Sequence, residues 1–189
     1  MCSSDLVSAL SATIPSQQFI RIANIDGPWD VAFQPNRGAP STLRLDALGS
    51  LSDQADPTVK YFSGVATYKK DFTLPAGAKA GTSLFLDLGR IGDVAEVRVN
   101  GQMVGTVWKA PYRLDIGPLV HRGRNSLDIR VADLWVNRLI GDAQPGATKI
   151  TYTSMPTYTA AAPLRPSGLL GPVTLLKATS VVNGRGATN

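Results

Sequence analysis

The sequence has few of the residue types on which small proteins often depend for chemistry. Its 189 residues include one cysteine, Cys2, one histidine, His121, and one glutamate, Glu96, beside thirteen aspartates. A single cysteine excludes an internal disulfide and a cysteine-based metal site. The shortage of glutamate favours turns and loops over helices, because aspartate prefers turns and is a poorer helix former.

Long apolar runs and clustered charges are also lacking. No apolar run approaches about 18 residues, so we expect no membrane-spanning helix and no membrane partner. The net charge is +5, yet the basic residues are scattered, with local concentrations only at 68–70 and 121–124. We therefore expect no nucleic-acid partner. The hydrophobic content of 43% is typical of a globular chain, and the length is sufficient for one domain that folds without a metal.

Apolar residues alternate with polar ones along much of the chain, which is typical of half-buried strands. The alternation begins at Phe19 and is clearest at 29–33, 84–88, 95–99, 127–131 and 173–182. Asn100-Gly101 predicts a tight type I′ hairpin turn between two such runs. Helical periodicity is limited to a weak candidate at 44–51. The pattern predicts an all-β, antiparallel sandwich or barrel.

We predict a single domain over 19–182, between a leading segment 1–18 and a disordered tail 183–189. The leading segment is interpreted as a truncated linker or an artefactual N-terminus. Its first residues, MCSSDL, lack the basic and apolar regions of a signal peptide and are similar to a translated sequencing adapter. Two stretches without strand alternation, 34–60 and 133–171, are expected to be functional or docked loops.

Four segments occur in an order that resembles a known family. They are VKYFSGVATYKKDFTLP (59–75), LFLDLGRIGDVAEVRVNGQMVGTVWKAPYRLDI (84–116), GRNSLDIRVADLWVNRLIGD (123–142) and PSGLLGPVTL (166–175). The order resembles the sugar-binding jelly-roll domain of the glycoside hydrolase family 2 type, which has a galactose-binding-like fold. YFSGVATY, LWVNRLIGD and SGLLGPV are similar to the C-terminal portion of glycoside hydrolase family 106 α-L-rhamnosidases. The resemblance covers about 25–177 and implies a jelly-roll β-sandwich, although Leu51 stands where such relatives are expected to have Trp.

The resemblance implies a non-catalytic accessory domain of a glycoside hydrolase, which packs on a separate catalytic domain of a secreted or periplasmic parent chain. Glycoside hydrolysis needs two carboxylates about 5 to 9.5 Å apart. The available pairs are Asp93 with Glu96, expected to face water, and Asp133 with Asp142, expected at turns of a loop. We therefore assign no catalytic residue to this chain. An autonomous carbohydrate-binding module is the alternative function.

Residues suited to holding a sugar occur in two clusters. Aromatic rings stack on the C–H faces of sugars, while Asn, Asp and Arg side chains hydrogen-bond to hydroxyls. The candidate carbohydrate-binding residues are Trp108, Tyr112, Trp135, Asn137, Arg138 and Asp142. Two other roles remain open for them: a structural clip on the long loop, or a surface pressed against the catalytic domain.

The resemblance also raises the question of a structural calcium, since galactose-binding-like domains often carry one. Asp26, Asp30 or Asp133, with backbone carbonyls, are the candidate oxygen ligands. No D-x-D-x-D-G calcium loop is present, and no other cofactor is expected. His121 is expected to be an exposed turn residue. Trp29 is expected to be a core residue at a sheet edge, and the same role remains open for Trp108.

Overall fold

The computed structural model describes residues 16–76, 78 and 83–181. The adapter-like segment 1–6, most of the leading segment 1–18 and the predicted tail 183–189 lie outside the described residues. The first strand begins at Ser16, ahead of the predicted domain start at Phe19.

Strands make up most of the described chain. They are β1 (Ser16–Asn24), β2 (Trp29–Phe33), β3 (Thr42–Leu45), β4 (Val65–Thr73), β5 (Leu84–Asp87), β6 (Arg90–Ile91), β7 (Val94–Val99), β8 (Gln102–Val107), β9 (Arg113–Asp115), β10 (Arg124–Ala132), β11 (Leu169–Gly171) and β12 (Thr174–Val181). The helices are α1 (Pro57–Lys60) and α2 (Val136–Asp142), with a 3-10 turn at Leu51–Asp53. None of these helices has the length and hydropathy to cross a membrane.

Two antiparallel sheets enclose the core. One has six strands in the order β3-β2-β4-β10-β7-β8, the other four in the order β1-β12-β5-β9, and β11 pairs with β6 beside them. Strand β10 shows how alternation builds the core, because Asn125, Leu127, Ile129 and Val131 are buried while the residues between them are more exposed. Trp29 is a core residue, as predicted. The predicted antiparallel β-sandwich is confirmed.

The predictions of irregular structure were less accurate. The weak helical candidate at 44–51 was wrong, since that segment is the end of β3 followed by bends. The stretch 34–60, expected as a loop, contains β3 and α1. Helix α1 forms because Asp56 accepts a hydrogen bond from the Thr58 N–H at 2.8 Å and Pro57 occupies the first turn. Residues 136–142, also expected as a loop, form α2.

The hairpin between β7 and β8 has the predicted geometry. Asn100 and Gly101 have φ values of 52° and 78°, as a type I′ turn requires. The Asn100 side chain also ties the turn to neighbouring segments. Its Nδ2 donates to the Leu119 carbonyl at 2.8 Å, and its Oδ1 accepts from the Ser126 N–H at 2.9 Å.

Asn125 completes the polar network at this end of the sandwich, and its loss is our first prediction. Its buried amide donates to the His121 and Gly123 carbonyls and accepts from Asn100 Nδ2 and the His121 N–H. Asn125→Ala should lower the free energy of unfolding by about 2 kcal/mol, because buried donors and acceptors lose their partners. Urea unfolding measures this, with Ser126→Ala as the exposed control. Equal stability of the two variants would contradict the assigned role.

Candidate functional site

The six-stranded sheet brings several candidate residues to one of its ends. Its pairing places Phe33, Ala66, Val131, Ala95 and Val107 in one row across five adjacent strands. One end of this sheet therefore carries four connecting segments: those that follow β2, β8 and β10, and the one that precedes β7. Since neighbouring strands are about 4.8 Å apart, Val131 and Val107 are about 10 Å apart. Both predicted clusters, around Trp108 and around Trp135, thus lie at this end.

Trp108 and Tyr112 differ in their surroundings. Trp108 directly follows β8, and 70% of it is exposed, so the alternative of a core position for it was wrong. Lys109 and Ala110 are exposed, as predicted. Tyr112 is half-buried and packs against the core, and its carbonyl accepts a hydrogen bond from the Leu88 N–H at 3.0 Å. Trp108 is therefore the part of this cluster that is open to a partner.

Asn137 faces inward from α2 and hydrogen-bonds to the segment that precedes β11. Its Nδ2 donates to the Arg165 carbonyl and its Oδ1 accepts from the Arg165 N–H, both at 2.8 Å. It also lies 3.3 Å from the Ser167 hydroxyl. Because Asn137 is buried, its amide groups are used within the chain.

Arg138 and Asp142 form a buried ion pair one helical turn apart, with Arg138 Nη2 at 3.0 Å from Asp142 Oδ1. Asp142 Oδ2 accepts hydrogen bonds from the Thr151 N–H at 2.8 Å, the Ile150 N–H at 3.2 Å and the Thr151 hydroxyl. Burial raises the pKa of Asp142. The hydrogen bonds from Thr151 and Ile150 and the charge of Arg138 together lower it by more, so the pKa lies below its ordinary value. Asp142, expected at a turn of a loop, is instead the last residue of α2.

The two carboxylates of the first candidate catalytic pair, Asp93 and Glu96, both have partners in the chain. Asp93 and Glu96, expected to face water, are half-buried. Asp93 accepts from the Leu134 N–H at 2.9 Å, and Glu96 forms ion pairs with Arg98 and Arg130 at 3.3 and 3.2 Å. These contacts stabilise the sheet end.

Asp133 is an inward-facing acid between Asp93 and the segment before β11. Its Oδ1 accepts a hydrogen bond from the Gly168 N–H at 2.8 Å, while its Oδ2 is buried without a hydrogen-bond partner among the described residues. Burial raises the pKa of Asp133 to about 6; the bond from Gly168 opposes the rise and the charge of Asp93 adds to it. At neutral pH this side chain is a charged group in an unfavourable position.

The candidate calcium ligands do not form a site. Asp30 is exposed and ion-paired with Arg44 at 3.1 Å, Asp26 is exposed, and Asp133 bonds inward to Gly168. Across residues 16–76, 78 and 83–181, no three His, Cys, Asp or Glu side chains lie together as metal ligands would. These residues do not fit a calcium ion. His121 is exposed in its turn, as predicted, at the other end of the sheet.

A cleft of about 390 Å³ lies beside α2 and was missed by the sequence analysis. It is lined by Arg37, Trp135, Leu139, Ile150, Thr151, Tyr152 and Thr153, and is called the α2 cleft below. Only Trp135 among these residues was a predicted site residue. Arg37 lies in a turn motif, PNRGAP, and Tyr152 in a segment without periodicity, so no local pattern distinguishes them.

Comparison with known proteins shows the same domain type. A family model described as "Glycosyl hydrolase 2 galactose-binding domain-like" matches residues 51–161. The solved structure of a rhamnosidase from Novosphingobium sp. PP1Y is similar, with a TM-score of 0.82 and 59% sequence identity. That match covers 87% of this chain and 16% of the rhamnosidase chain.

Two further relatives extend the comparison. A protein of Formosa agariphila named "Putative beta-glucuronidase" is 45% identical over 117 residues, which are 61% of this chain and 10% of that protein. The Ruminococcus gnavus β-glucuronidase structure shares the fold at 18% identity and a TM-score of 0.50, covering 67% of this chain and 23% of that one. The chain thus spans only 10% and 16% of the Formosa protein and of the rhamnosidase. Since the family model matches more than half of its residues, the chain belongs to the galactose-binding-like domains of the glycosyl hydrolase 2 type.

Proposed function

We propose that this chain is a non-catalytic accessory domain of a longer glycoside hydrolase resembling α-L-rhamnosidases, where it packs on the catalytic domain and contacts carbohydrate. One observation carries the proposal: the chain is 59% identical over 87% of its length to a part of a rhamnosidase that makes up only 16% of that enzyme.

The absence of a catalytic role is supported by how the carboxylates are used. Hydrolysis of a glycosidic bond requires an acid and a base or nucleophile that both reach the substrate. In the described part of the chain, Asp93, Glu96 and Asp142 are held by hydrogen bonds or ion pairs. Asp133, whose raised pKa is of the kind that a general acid needs, faces inward. The contacts of Asp93, Glu96 and Asp142 stabilise the domain.

Packing on a catalytic domain is supported by the end of the six-stranded sheet. Val94, Trp108, Leu134 and Trp135 are exposed there; they are called the end face below. The end face adjoins β8, which is the last strand of the sheet and carries no charged residue. Unprotected edge strands and exposed apolar groups of this kind are typical of surfaces that another domain covers.

The proposal is tested by exchanging domains in the Novosphingobium rhamnosidase. In one chimera this chain replaces the matching region, and in a second variant that region is deleted. We expect the chimera to hydrolyse p-nitrophenyl α-L-rhamnopyranoside with kcat/KM within about tenfold of the parent enzyme. The deletion variant and the isolated chain should be inactive. Hydrolysis by the isolated chain, or full activity of the deletion variant, would contradict the accessory role.

Trp108→Ala tests the end face directly. In the isolated chain the substitution should change the free energy of unfolding by less than about 0.5 kcal/mol, because Trp108 is mostly exposed. In the chimera it should destabilise the domain by about 2 kcal/mol, since the indole is then buried against its partner. Ile20→Ala, an exposed apolar residue on β1 of the other sheet, is the matched control. Equal losses in chain and chimera would rule out packing through Trp108.

The autonomous carbohydrate-binding module remains the alternative. The exposed rings of Trp135 and Tyr152 line the α2 cleft, and this chain presents them by itself, with no catalytic domain needed. This alternative would be favoured over the accessory role if the isolated chain binds sugar and the deletion variant keeps full activity.

A further inference from the structure

Arg37 is fixed over an aromatic ring at the mouth of the α2 cleft. Its guanidinium carbon lies 4.6 Å from the centre of the Trp135 ring, a close cation–π contact. The turn that carries it packs against Ile150, since a Cβ at Gly38 would lie 2.4 Å from Ile150 Cδ1. With φ of +82°, Gly38 also occupies a conformation that other residues rarely adopt. Arg37 is thus held in place by both the stacking contact and the turn.

The hydrogen-bonding groups of Arg37 have no partner in the described chain. Each of the seven ion pairs found there involves another basic residue, and no described side-chain hydrogen bond uses Arg37. A guanidinium has five N–H donors in a planar arrangement that suits two adjacent oxygen acceptors. Since none of these donors is bonded to a described residue and the guanidinium is held by stacking, they are available to hydrogen-bond to a ligand.

The segment 150–153, which also lines the cleft, is held at its start. Asp142 binds the Ile150 and Thr151 amides, and its own position is set by the buried ion pair with Arg138. Tyr152 follows directly, and 93% of its surface is exposed. The buried Asp142 therefore fixes the backbone up to Thr151, and the Tyr152 ring that follows is open to a ligand.

We infer that the α2 cleft binds one pyranose residue of an oligosaccharide, with Tyr152 as the stacking surface and Arg37 as the hydrogen-bond donor. The inference rests on the carbohydrate contact of the proposed function and names its place and ligand class. A pyranose ring has an apolar C–H face for an aromatic ring and vicinal hydroxyls for a guanidinium. The volume of about 390 Å³ is in the range of small-molecule sites, and Thr153 adds a polar residue to the lining.

The test is an amide NMR titration of the full 189-residue chain with L-rhamnose, D-galactose and a rhamnose-containing oligosaccharide. At least one sugar should give saturable shifts at Arg37, the Trp135 indole and 150–153, with a Kd of about 1 mM. Tyr152→Ala and Arg37→Ala should each weaken binding by about tenfold or more. Tyr152→Phe, which keeps the ring, should retain binding, and Ile20→Ala, an exposed change on β1 of the other sheet, is the control outside the cleft. Spectra without sugar establish that each variant is folded.

Three results would overturn the inference: no saturable shift with any of the sugars up to about 100 mM, shifts confined to other residues, or unchanged affinity in Tyr152→Ala. If Tyr152→Ala impairs the chimera while the isolated chain binds no sugar, the cleft is a protein contact and the inference fails. The accessory role would stand in that case. If the chain binds sugar in the cleft while the deletion variant stays active, the accessory role fails and the inference stands.

Discussion

Replacing Asp142 with alanine is expected to lower the free energy of unfolding by about 4 kcal/mol, because it leaves the buried Arg138 without a counter-charge. Both side chains are less than a tenth exposed, and their charged atoms are 3.0 Å apart. The same change removes the acceptor for the Ile150 and Thr151 amides. Urea unfolding at neutral pH, followed by tryptophan fluorescence, gives the free-energy difference.

Two control variants separate the contributions of Asp142. Asp142→Asn keeps an oxygen acceptor for Thr151 but removes the charge, so its loss should be intermediate. Asp128→Ala, in β10 and outside this network, should change stability by less than about 0.5 kcal/mol. A loss for Asp142→Ala of less than about 1 kcal/mol would show that the ion pair does not hold the segment after α2.

Asp133 should make the stability of the chain fall as the pH rises. Its pKa is about 6 in the folded chain, above the ordinary value of 3.8, so the folded state binds the proton more tightly than the unfolded state. The resulting stabilisation is complete only well below the unfolded pKa of 3.8 and is lost as the pH rises through 6. Its size is about 3 kcal/mol, from the shift in pKa.

Asp133→Asn should abolish this dependence, because an amide does not ionise and its Oδ1 can still accept from Gly168. From pH 4 to pH 7 the difference in free energy of unfolding should move in favour of the variant by about 2 kcal/mol, since part of the total change falls below pH 4. Urea unfolding of both proteins across this range measures it. Other carboxylates, such as Asp142 with its lowered pKa, contribute equally to both proteins and cancel. A difference that stays constant with pH would contradict the account of Asp133.

The sandwich could be predicted from the sequence because its strands and tight turn are indicated by patterns within short segments. Alternation along 29–33, 95–99 and 127–131 identified strands β2, β7 and β10, and Asn100-Gly101 identified the turn that joins β7 to β8. Each of these patterns depends on neighbours a few residues apart, so it is visible without knowledge of the fold.

The details of the site depend on contacts between distant residues. The spacing of Arg138 and Asp142 suits a helical ion pair, yet α2 is too short for its periodicity to show in the sequence. Asn137 bonds to Arg165, and Gly38 packs on Ile150. No pattern within either segment indicates its partner, so the inward direction of these polar side chains and the cleft they position could not be predicted.

The most direct test of the account is hydrogen–deuterium exchange of this chain, alone and within the rhamnosidase chimera. If the end face packs on the catalytic domain, amides at 92–94, 108–112 and 134–137 should exchange more slowly in the chimera than in the isolated chain. Those at 100–101 and 121–125, at the other end of the sheet, should not change. Protection confined to the latter segments, or no difference anywhere, would contradict the role that we assign to the end face.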